Sequence, residues 1–149
     1  MQRPVLIKIV GTQTEPGGQE QVLELTTLGT YSCEEGIHQL EYEENDAQEG
    51  QPVISSQMKM IFNASQVRLS KKGAVEGVMV FEQGKKFVSM HETPLGPIEM
   101  GMLPLQVKSR VEQDCGEVEL LYQMDMEQQV ISLNRLKISF SPREQAPCS

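Results

Sequence analysis

Tryptophan is absent and aromatic residues make up only 5% of the 149-residue chain, so a core short of rings has to be filled by other apolar side chains. Basic residues are scarce as well: 13 Lys+Arg stand against 21 Asp+Glu, for a formal net charge of -8. Phosphate binding draws its affinity from Lys/Arg clusters that release counterions. No basic stripe occurs in the sequence, which excludes nucleic acid as the main partner. Long apolar runs are also missing. The longest are of strand length, far below the 18 or more residues of a membrane helix, so no membrane partner is expected. Met1-Gln2-Arg3-Pro4 leads straight into a short β-like run, where a signal peptide would carry a longer apolar segment. Three cysteines, Cys33, Cys115 and Cys148, are odd in number and widely spaced, which supplies neither a disulfide framework nor a local CxxC motif. The expectation is a reducing, cytoplasmic setting, with Cys148 a thiol on the C-terminal tail. Asn63-Ala64-Ser65 matches a glycosylation sequon that matters only in a secreted protein, and it is read as a turn between two strands.

Alternation is what the chain has in quantity. Val118, Leu120, Tyr122, Met124 and Met126 share one face of an extended segment, and Glu117, Glu119, Gln123, Asp125 and Glu127 fall mostly on the other. Leu136, Ile138 and Phe140 alternate with Arg135, Lys137 and Ser139, and Met58, Met60 and Phe62 with Gln57 and Lys59. Helical periodicity is almost absent. Turn chemistry punctuates these runs at Glu15-Pro16-Gly17-Gly18, Glu35-Gly36, Asn63-Ala64, Lys72-Gly73, Gln83-Gly84, Thr93-Pro94-Leu95-Gly96-Pro97 and Asp114-Cys115-Gly116. The pattern predicts one all-β domain of about ten strands in an antiparallel meander. Two stacked sheets and a closed barrel both satisfy it. The polar segment 43–52 is read as a long surface loop, and residues 142–149 as a flexible tail after a domain spanning 1–141.

Six fragments carry a resemblance: Thr27-Leu28-Gly29-Thr30-Tyr31, Leu40-Glu41-Tyr42-Glu43-Glu44, Lys71-Lys72-Gly73, Met79-Val80-Phe81-Glu82-Gln83-Gly84, Thr93-Pro94-Leu95-Gly96 and Gly116-Glu117-Val118-Glu119-Leu120-Leu121-Tyr122. In this order and spacing, from about Val5 to Phe140, the chain resembles the YwiB-like family of small bacterial proteins of unknown function. The resemblance implies a single antiparallel calycin-type, lipocalin-like β-barrel and a bacterial cytosolic setting, and it implies no activity. Family members often carry Arg where this chain has Lys71, and an aromatic residue where it has His91.

Catalytic and metal motifs are missing: there is no GxSxG, SxxK, HExxH or paired cysteine. His91 and Glu92 are strand neighbours and point to opposite faces, so they form no dyad. Carboxylates are plentiful, but their distances are invisible in sequence. The chain is expected not to be an enzyme and to need no cofactor. Acids within 43–50 allow a hard cation, yet they lack the Asp-x-Asp-x-Asp-Gly spacing of a calcium loop and are read as solvated.

What remains is a barrel lumen. Parity nominates Met58, Met60, Phe62, Val118, Leu120, Tyr122, Met124, Asn134, Leu136 and Ile138 as its lining, with Tyr31, Tyr42, Lys71 and His91 as polar candidates at its mouth. Nine methionines are many for a β protein and suit a pliable apolar surface. The leading expectation is non-enzymatic binding of a small apolar or amphipathic ligand. The alternative is a protein-interaction or homodimer module without a small-molecule ligand, which Met100 and Met102 facing outward beside Ile98 would favour, whereas facing inward they would support the lumen.

Overall fold

The computed structural model describes residues 2–46, 54–73, 77–113 and 115–143. These form ten strands: β1 (Arg3–Thr14), β2 (Glu20–Glu34), β3 (Ile37–Asp46), β4 (Ile54–Phe62), β5 (Gln66–Gly73), β6 (Gly77–Glu82), β7 (Phe87–Thr93), β8 (Gly96–Glu112), β9 (Cys115–Met126) and β10 (Gln129–Pro142). The hydrogen-bonded order is β6-β5-β4-β3-β2-β1-β10-β9-β8-β7, antiparallel throughout. First and last strands are paired in the middle of the sheet, and the sheet curls until β6 meets β7 and β8.

Barrel closure is nearly complete, which decides the question that alternation left open. At the seam Glu82 and Lys85 form an isolated bridge, the Gly84 amide donates to the Pro104 carbonyl at 2.9 Å, and the Val107 amide donates to Gln83 Oε1 at 3.4 Å. Beyond that bridge, no ladder joins β6 to β7 among the described residues. Lower on β8, Ser109 Oγ donates to the Asn63 carbonyl at 3.2 Å and ties the strand to the β4–β5 turn.

Register carries one apolar face around the wall. Ile7 lies opposite Phe140 and Thr27, Ile9 opposite Ile138, and Ile138 opposite Val118. Phe62, Phe81, Ile7, Leu40, Met60, Leu120 and Ile138 are fully buried. The barrel therefore has one end that holds Arg3, Tyr31, His38 and Phe62, and an opposite end that holds Gln13, Tyr122 and Met124.

Two turns show how differently sequence can announce the same geometry. Glu35 and Gly36 have φ of 52° and 78° and link β2 to β3, the both-positive pattern of a type I′ hairpin with its usual glycine. Glu127 and Gln128 link β9 to β10 at φ of 49° and 68° with no glycine at all, so both residues hold the left-handed region that disfavours a Cβ. Gln128→Gly is expected to stabilise the protein by about 1 kcal/mol, read as a higher urea midpoint at unchanged m. The Asn63 side chain builds its own turn: Oδ1 accepts from the amides of Ser65 at 2.9 Å and Gln66 at 3.0 Å. The sequon segment is thus the β4–β5 turn.

Three expectations are corrected or bounded here. Residues 43–46 continue β3 and pair with residues 57 to 54 of β4; polarity suggested a loop, but at a hairpin's wet end the backbone ladder needs no apolar face. Residues 47–53, the rest of the acidic segment, lie outside the described residues. Strand β10 runs to Pro142, one residue past the expected domain end, and the Arg143 amide donates to the Pro4 carbonyl at 3.3 Å. Residues 144–149, including Cys148, lie outside the described residues. Cys33 is an exposed free thiol, and Cys115 is buried in the wall. Among the described residues no helix is long and apolar enough to cross a membrane.

Candidate functional site

Three strands set one row of side chains across the lumen: Gln13 of β1 lies opposite Asn134 of β10, which lies opposite Tyr122 of β9. In the next row toward the open end, Ser132 pairs with Met124, and Met124 with Met102 of β8. Met79 of β6 supplies a thioether from the strand on the far side of the seam. Gln13, Met79, Tyr122, Met124, Ile131, Ser132 and Asn134 line a cavity of about 250 Å³ that is widely open to solvent. Within it the Asn134 Nδ2 donates to Ser132 Oγ at 2.9 Å, which fixes the amide plane. Phe81 meets Tyr122 edge to face, ring centroids 5.1 Å apart, and fully buried Phe81, Leu120 and Ile138 fill the barrel deeper in.

The opposite end is plugged. His38 stacks on Phe62 with centroids 5.0 Å apart, Tyr31 on Phe140 at 4.7 Å, and Tyr31 Oη is hydrogen-bonded to His38 Nδ1 at 2.8 Å. Burial lowers the His38 pKa from its ordinary 6.5. The neutral ring is favoured by folding, so its contribution is fully present above pH 6.5 and is lost as pH falls toward the depressed folded value. His38→Gln is expected to flatten that acid-side decline in thermal stability.

Of the residues nominated from parity, Tyr122, Met124 and Asn134 line the cavity. Met58, Met60, Phe62, Val118, Leu120 and Ile138 point inward but are buried in the packed core, with Leu136 against them. Tyr31, expected at the mouth, sits instead at the plugged end, because the β1–β2 register places it opposite Arg3 rather than Thr14. Tyr42 is buried beside Met58 in the β3–β4 register. Lys71 Nζ lies 3.6 Å from Glu44 Oε1 across the β3–β5 wall. The His91 side chain lies outside the described residues. Met102 is buried in the core and Met100 follows it at the same parity opposite Met126, so this pair is not an outward patch.

Alternation continued past Ile9 would have found Gln13, and alternation continued back from Asn134 would have found Ser132. Ile131 enters the lining where the β9–β10 register shifts between Val130 and Ser132, which counting by two does not detect. On the outer wall, Asp125 is largely buried under Lys86, whose Nζ is 3.1 Å from Oδ2.

Burial, with Glu44 as the smaller cause, pushes the Tyr42 hydroxyl up from 10.0 to about 12, and burial also raises Tyr122. Both phenols are neutral donors at neutral pH. For Tyr42, folding holds a proton that the unfolded chain releases above pH 10, so stability is complete below pH 10 and declines as pH rises toward 12. Absorbance titration at 295 nm is expected to show a late phenolate step near pH 12 that Tyr42→Phe removes.

Fold and cavity together define a class: a nearly closed, ten-stranded antiparallel barrel packed at one end and bearing an open cavity at the other. The chain belongs to the family described as a domain of unknown function, DUF1934, whose model matches residues 7–138. It is similar in fold to the crystal structure of the ywiB protein from Bacillus subtilis, with a TM-score of 0.75 and 18% sequence identity over 95% of this chain and 92% of that one. No curated protein matches the chain.

Proposed function

We propose that the protein is a non-enzymatic binder of a small apolar or amphipathic molecule, held at the open end of the lumen. The observation that carries this reading is the cavity of about 250 Å³ whose wall sets Met79, Met124 and Ile131 beside the polar groups of Gln13, Tyr122, Ser132 and Asn134, an amphipathic lining that offers a small molecule both apolar surface and hydrogen-bond partners. It is smaller than the roughly 300–1,000 Å³ of sites for drug-sized ligands, which points to a small occupant. Calycin-type barrels supply the analogy, and the cytosolic setting is carried by sequence alone. The interaction reading draws support from Val88, Leu105 and Leu133, apolar and 49%, 43% and 42% exposed.

Native mass spectrometry of protein purified from its own host, followed by organic extraction, tests the proposal. A reproducible small molecule that Met124→Trp no longer retains is the expected result. An empty monomer that also takes up no hydrophobic fluorescent probe would overturn it, and an empty dimer would favour the interaction reading.

A further inference from the structure

The chemistry of the cavity wall restricts what it holds, given the lumen-binding reading on which this inference rests. Gln13, Tyr122, Ser132 and Asn134 bring neutral donors and acceptors, Met79, Met124 and Ile131 bring apolar surface, and no described lining residue is charged. Glu44 and Lys71 occupy lumen-side register positions toward the same end, but they face each other at 3.6 Å and neither lines the cavity. An ion held against this wall would give up part of its hydration and meet no counter-charge among the described lining residues. A neutral molecule escapes that cost, and its polar edge meets partners of both kinds. Thioether sulfur makes favourable contacts with aromatic rings, and here thioethers approach from β6 and β9. An apolar cavity of about 150 Å³ accepts benzene, so this larger one has room for a substituted or fused ring and too little for a long acyl chain.

We infer that the open-end cavity takes a small uncharged aromatic or heteroaromatic molecule, its ring against Met79 and Met124 and its polar edge on Asn134 and Tyr122, and that it rejects ionised analogues of the same size.

Calorimetric titration of the full chain with benzamide, benzoate, indole and hexanamide tests this. Benzamide and indole are expected to bind, with benzoate and hexanamide at least tenfold weaker. Asn134→Leu is expected to weaken benzamide at least fivefold; Gln13→Leu, at the rim of the same row, repeats the test should the first variant fold poorly. Benzoate or hexanamide binding as tightly as benzamide, with heat that Met124→Trp abolishes, would overturn the ligand class while leaving lumen binding intact. Absence of heat from all four compounds would overturn both.

Discussion

Phe62→Ala is expected to remove about 4 kcal/mol of stability, within the range for truncating a buried phenylalanine. The ring is 1% exposed, stacks on His38, and meets Phe140 edge-on with centroids 6.4 Å apart. Ladders on both sides of β4 hold the wall in place, so the void left by the ring cannot collapse. Met124→Ala, beside a cavity that already exists, is expected to cost less than half as much. Urea denaturation of the two variants compares them directly. Equal losses would contradict a barrel that is packed at one end and bears an open cavity at the other.

Gly29→Ala is expected to destabilise by about 3 kcal/mol through overpacking, a fall in melting temperature of roughly 10 °C for a chain of this size. Gly29 sits in β2 opposite Val5 and Tyr42. A Cβ there would lie 2.7 Å from Ile7 Cδ1, 3.1 Å from Tyr42 Cβ, and closer still to the Glu41 carbonyl oxygen. That oxygen belongs to the β2–β3 ladder and has nowhere to move, so the position admits only glycine. Gly77→Ala is the control: nothing lies within 4 Å of its added Cβ, and the change should stay within about 0.5 kcal/mol. Two similar melting curves would show that the close approach at Gly29 does not constrain the wall.

Alternation was enough to reveal the ten strands and the inward face, because in a barrel wall one side of nearly every strand is buried. Val118, Leu120, Tyr122 and Met124 are the clearest case, and all four do point inward. Which of them pack and which line a cavity was not legible. That outcome depends on how side chains from distant strands fill the space between them, as Phe81 of β6 does against Tyr122 of β9. Tyr31 shows a second limit: its parity was readable, but the end of the barrel it occupies follows from the β1–β2 register. Ile131 shows a third, since a bulge breaks the period that exposes lining residues.

The most direct test of the open-end cavity uses methionine methyl groups as reporters. With all nine labelled, NMR titration with indole is expected to shift Met79 and Met124, which line the cavity, and to leave Met58 and Met60 of the packed core in place. Unmoved Met79 and Met124 signals at saturating indole, or shifts confined to Met58 and Met60, would contradict it.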